Sequence, residues 1–225
     1  MKQLALIGAL AAALSTAHAA QPAIAFTATP GSFLDGNTRM IGWQFTVQQA
    51  VNVTALGWFD LGQDGLARAH EVGIWDSATQ SLVASVVVQQ GSVSTLEGFF
   101  RWADLAAPVA LLPGVSYRIA GLDIGAGGDA HVWDAAIGGY SAHVSGLVVD
   151  SSVQLGGAGS AIGGLASGFS YPAGQIGDAR AGLFGPNLAV AVVPEPSVAA
   201  LLLAGSALLA WRRQGRARSR AASVR

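Results

Sequence analysis

The chain has 225 residues, no cysteine, and 11% charged against 52% apolar residues. That length suits one domain with terminal signals; the composition excludes disorder driven by charge, and the absence of cysteine excludes disulfides and thiolate metal sites. The net charge of −1 hides an asymmetry: residues 21–193 hold five arginines against twelve acids, while Arg212, Arg213, Arg216, Arg218, Arg220 and Arg225 crowd the last stretch. A body this acidic repels phosphates, so nucleic acid is not an expected partner.

At the N-terminus, MKQLALIGALAAALSTAHAAQPA opens with Lys2, continues with an apolar run over 4–14, and reaches the small-x-small pattern Ala17-His18-Ala19. A positive n-region, a short apolar h-region and such a cleavage pattern predict a secretory signal peptide over residues 1–20, with signal peptidase as a partner.

Strands follow. Residues 43–48 alternate apolar and polar with period two, and 51–55 do the same, which predicts a hairpin about Gln49-Ala50. Residues 71–75 and 82–89 read as two more strands joined through 76–80. Residues 99–105 and 115–122 read as another two, turned at Pro113-Gly114. No sustained helical stripe interrupts them, so the expected fold is all-β, an antiparallel β-sandwich of jelly-roll or Ig-like type filling residues 21–193. The second half is rich in glycine, which weakens strands and favours turns. There, 144–155 keeps a strand-like core, 156–182 reads as a long surface excursion, and 187–192 reads as a closing strand.

The C-terminal stretch VPEPSVAALLLAGSALLAWRRQGRAR begins with Pro194-Glu195-Pro196, which lets no strand or helix run through it. Ser197 can cap a helix. Residues 197–211 are uncharged up to Trp211, and the basic pair Arg212-Arg213 follows, as basic residues do on the cytoplasmic side of a membrane. A helix of that length reaches roughly 22 Å, short of a hydrocarbon core of about 30 Å. It fits a transient stop better than a permanent anchor.

A proline–glutamate–proline triplet, a short apolar helix and an arginine cluster in that order resemble the PEP-CTERM sorting signal, over residues 194–225. The resemblance implies an exosortase as partner, with Pro194, Glu195 and Pro196 as the sorting motif and Arg212 and Arg213 as the cytoplasmic anchor. It also implies transient passage through the inner membrane of a Gram-negative bacterium, release to the cell surface or beyond, and association with exopolysaccharide or biofilm. The stretches IGWQFTVQQAVNVTALGWFD, HEVGIWDSATQSLVASVVV and APVALLPGVSYRIAG also resemble an extracellular β-sandwich domain of unknown function. That second resemblance implies no catalytic residues.

Few residues of the body suggest chemistry. His70 and His131 each precede a Trp-Asp pair, Trp75-Asp76 and Trp133-Asp134, a weak internal echo. A zinc site from the two histidines lacks ligand spacing, and satisfied strand-edge histidines are the plainer reading. Asp60, Asp64 and Glu71 fall in one glycine-bearing loop, and Asp123, Asp129 and Asp134 in another. The second group is a weak calcium candidate, no other cofactor is expected, and solvated turns are the plainer reading. Gly125-Ala126-Gly127-Gly128-Asp129-Ala130 is a turn and not a nucleotide loop, since no helix follows it. Trp58 and Trp75 face outward if Val53 and Val72 face inward and could then stack on sugar rings; a bulge would reverse that parity, and core burial is the plainer reading. The expected function is a non-enzymatic surface or matrix protein. The alternative is a carbohydrate-binding module for exopolysaccharide, with or without calcium.

Overall fold

The computed structural model describes residues 20–26, 29–32, 34, 38–125, 127–132, 141–142, 147–156, 168–175 and 183–193. The expected signal sequence up to Ala19, the motif Pro194-Glu195-Pro196, the apolar helix with Arg212 and Arg213, and Asp134 lie outside these residues. The described residues are all-β: no helix among them is long and apolar enough to cross a membrane. The strands are β1 (Gln21–Pro22), β2 (Ile24–Ala25), β3 (Thr38–Val47), β4 (Val51–Phe59), β5 (His70–Asp76), β6 (Leu82–Val88) and β7 (Thr95–Glu97). They continue with β8 (Phe100–Leu111), β9 (Ser116–Ile124), β10 (Ser141–Ala142), β11 (Leu147–Gly156), β12 (Gly174–Gln175) and β13 (Pro186–Val192).

Two antiparallel sheets result, ordered β1-β13-β4-β8-β7 and β12-β11-β3-β9-β5-β6, with β10 and β2 as a separate pair. The hairpin expected about Gln49-Ala50 is not there. β3 pairs with β9 and β11 in one sheet, and β4 pairs with β8 and β13 in the other. Alternation gives both strands a buried face, but neither keeps a free edge for the other. The chain therefore steps between sheets at 48–50, and again at the Pro113-Gly114 turn between β8 and β9. The two crossings are tied together. Val47 N donates to Val115 O at 3.1 Å, Gly114 N to Val47 O at 2.7 Å, and Val193 N to Ala50 O at 3.2 Å. Leu112 N donates to the Tyr117 hydroxyl at 3.1 Å, so the β8–β9 corner is buttressed by a side chain.

One apolar core lies between the sheets. Trp43, Phe45, Val72, Ile74 and Ile119 come from one, and Val53, Leu56, Trp58, Phe100 and Leu188 from the other. Burying a side chain of this class is worth about 1.5–3 kcal/mol. Some polar groups that enter the core are bonded: Trp43 Nε1 donates to Pro186 O at 2.9 Å. Asn187 takes the N–H and meets the carbonyl of Ile24, at 3.2 and 2.7 Å.

The faces of β4 are set by a bulge. Val53 and Ala55 bracket a register shift against β8, and Val53 and Ala55 also flank one against β13, so Thr54 is the extra residue on both sides. Val51 and Val53 point inward before it; Leu56 and Trp58 point inward after it. Opposite Thr54, residues 105–108 of β8 are looped out of the ladder and include Pro108, a residue that a regular central strand excludes.

Candidate functional site

The tryptophans with an outward reading are both buried. Trp58 is fully enclosed, because the bulge at Thr54 reverses the parity of β4 after Val53. Trp75 does point away from the main core, but Met40, Ala120, Leu122, Phe169 and Tyr171 cover it. Neither ring is available to stack on a sugar.

Trp58 instead enters a slot made by two glycines. A Cβ at Gly121 would stand 2.5 Å from its ring, and one at Gly185 2.9 Å. On its face lies His70, ring centroids 3.9 Å apart and planes within 6°. His70 Nδ1 is 2.9 Å from Leu122 O, and Nε2 is 2.8 Å from Asp129 Oδ2. A carbonyl only accepts, and an ionised carboxylate only accepts. Both ring nitrogens thus face acceptors, and the His70 ring lies flat over the indole.

Asp129 holds the other end of this pair. Burial pushes its carboxyl up. The bonds from His70 and from the backbone N–H of Ala67 and Arg68, at 2.8 and 3.1 Å, together with the charge on His70, outweigh burial and hold its pKa below the ordinary value. Arg68 Nε also donates to Gly127 O at 3.3 Å. The 127–129 turn is thereby fastened to residues 67–70.

A second pair lies close in the fold. His131 Nδ1 is 3.3 Å from Asp123 Oδ2, with both side chains fully buried. Arg39 on β3, also buried, is the cross-strand partner of Asp123 on β9. Next to His131, Val132 bridges to Phe184. Both histidines of the sequence echo pair with aspartates that lie close to His131 in the chain, His70 with Asp129 and His131 with Asp123. Trp133, like Asp134, lies outside the described residues.

Of the calcium candidates Asp123, Asp129 and Asp134, the first two are engaged by histidines, and Asp134 lies outside the described residues. Asp123 is a strand residue with no exposure. Among the described residues no group of three or more His, Cys, Asp or Glu side chains could hold a metal ion. In the first acidic loop, residues 61–64 are exposed turns that include Asp64, but Asp60 is not solvated. Asp60 is buried and takes Arg101 Nε at 2.7 Å and Gly65 N at 3.0 Å. The Arg101 guanidinium then reaches the carbonyls of Gln63, Ser92 and Ser94. Sequence reading missed this clasp; a lone arginine in a strand otherwise apolar at its start was its one signal.

Histidine–aspartate pairs can relay protons, but His70 and His131 have no exposed surface through which a substrate could meet them. What the seam does is hold β3, β5, β9 and the 125–132 segment together. The accessible concavity lies elsewhere. Pro22, Ile24, Ala25, Phe26, Glu97, Gly98, Phe99 and Phe100 line a shallow depression of about 40 Å³. Phe26 and Phe99 are half-buried there, and their rings meet edge to face. Ligand sites of drug size run from about 300 Å³ upward, so this depression is too small to enclose such a ligand. No protein-family model matches the chain, and no curated protein is significantly similar to it.

Proposed function

We propose that the chain is an exported, non-enzymatic structural protein of the cell surface or extracellular matrix, delivered by its signal peptide and sorted by an exosortase. The observation that carries this reading is the run from Pro194-Glu195-Pro196 through an uncharged apolar stretch to Arg212-Arg213. It begins immediately after a compact β unit that ends at Val193. In this reading the body is an antiparallel β-sandwich. The shared core, the repeated steps between sheets and the Tyr117 hydroxyl at the β8–β9 corner support that, since tyrosine corners buttress sandwiches in the same way. The full burial of His70, His131 and Asp123 supports a structural over a catalytic role.

Mass spectrometry of the cell-associated protein tests the proposal. The expected mature form starts near Gln21 and ends near Pro194–Pro196, acidic and without the tail arginines. Mature material that still reaches Arg225 would sink the sorting reading. A second reading, an exopolysaccharide-binding module, rests on the phenylalanine depression with its single carboxylate. A glycan array read with Phe26→Ala and Phe99→Ala variants decides it: binding lost in the variants supports it, and no binding by the parent protein removes it.

A further inference from the structure

The six-stranded sheet ends on β6, whose second edge meets no strand among the described residues. Exposed edges are normally guarded by lysine, proline or bulges. β6 has one irregularity, the register shift against β5 that sets Val83 apart at its start. From Ala84 to Val88 it is regular and contains no charge, proline or glycine. The neutrality extends well beyond the strand: no residue from 77 to 96 is charged. Leu82 and Val87 are 49% and 45% exposed, Val93 in the following turn is 84% exposed, and Leu96 on β7, the last strand of the other sheet, is 37% exposed. β6 also packs over β8, the neighbour of β7, so these side chains share one rim of the molecule.

We propose that this rim is a homotypic interface, in which β6 of one copy adds antiparallel to β6 of a second about a two-fold axis. The inference is independent of the sorting reading. A charged partner would find no complementary charge along 77–96, whereas a second copy brings a matching strand. Pairing about Val86 sets Ala84 against Val88, Ser85 against Val87 and Val86 against itself, with inner faces on inner faces and no like charges opposed. The open backbone N–H and C=O groups of both edges are then satisfied. A stable interface needs more than about 1,000 Å², which one short strand pair falls below. Val93 and Leu96 must join it, and the dimer is weak and concentration-dependent. The two-fold closes the assembly on itself, so the product is a dimer and not a fibre.

The test is sedimentation of the full chain in mild detergent, which keeps its apolar ends from driving association. The parent protein should shift from monomer to dimer with concentration. S85K/V87K opposes ammonium to ammonium across the axis and should raise the dimer Kd by about tenfold or more at low salt. S85K/V87E opposes lysine to glutamate and should restore the dimer in a salt-sensitive form. Val93→Asp, at a site too exposed to disturb folding, should weaken the dimer several-fold. A parent protein that stays monomeric across the range would overturn the proposal. So would dimerisation unchanged in V93D, or in a folded S85K/V87K variant whose melting temperature matches the parent's.

Discussion

The Trp58 indole and the His70 imidazole lie face to face, 3.9 Å between centroids, and the histidine is fixed at both nitrogens by Leu122 O and Asp129. The stack joins β4 of one sheet to β5 of the other, so it is both a packing contact and a polar one. His70→Phe keeps a ring over Trp58 but removes the ring nitrogens that face Leu122 O and Asp129. It should cost about 3 kcal/mol in urea unfolding. Trp58→Ala should cost about 3–5 kcal/mol, because the slot between Gly121 and Gly185 is left empty. Equal, negligible effects in both variants would mean that the stack contributes nothing.

Acid should weaken the fold through Asp129. Its pKa is lower folded than unfolded, so its contribution is complete above the unfolded carboxylate value and is lost as pH falls through the folded one. Asp76 acts in the same direction. The N–H of Thr79 is the main cause; the N–H of Ala78 and the Thr79 hydroxyl add to it, and desolvation opposes them. Thermal melts from neutral pH down through the carboxylate range should show a steeper loss for the parent protein than for Asp129→Asn. A parallel loss in both would assign the acid sensitivity to other groups.

Two glycines should respond to alanine very differently. A Cβ at Gly42 would stand 1.9 Å from Ile119 O, backbone against backbone on paired strands. G42A should therefore cost more than about 4 kcal/mol, the range reserved for severe core disruption. Gly91 has open space around it but a φ of 77°, so G91A should cost only about 1–2 kcal/mol of backbone strain. Urea midpoints of the two variants give the comparison directly.

Calcium should leave the melting temperature unchanged. Asp123 and Asp129 face His131 and His70, and the N–H groups of Ala67 and Arg68 also occupy Asp129. A rise of several degrees on adding millimolar calcium, reversed by a chelator, would show a site that these pairings do not describe.

The strands were legible in the sequence because period-two alternation survives wherever one face is buried. β3, β5, β6 and β9 fall where that alternation, or a bounded run of β-branched residues, points. Partner choice was not legible. Alternation reports which way a side chain faces and not which strand lies beside it, so β3 and β4 looked like a hairpin and are in different sheets. The seam was hidden for a related reason. His70 and Asp129 are 59 positions apart, and only the pairing of β5 with β9 brings their segments together. Asp60 and Arg101 likewise meet because β4 and β8 run side by side. At Asp60, Asp123 and Asp129, composition suggested solvent where the chain supplied partners.

Thr54 works as a frame marker for a strand that has two faces to keep apart. Upstream of it Val51 and Val53 are inside; downstream Leu56 and Trp58 are, with Ala55 and Phe59 also buried. Removing that single residue would shift the phase of everything from Ala55 to Phe59. It would offer Gly57 to the core and turn Trp58 toward water, away from the slot that Gly121, Gly185 and His70 form. A one-residue deletion there would then undo the junction between the two sheets, while substitution of the same threonine would leave the phase intact.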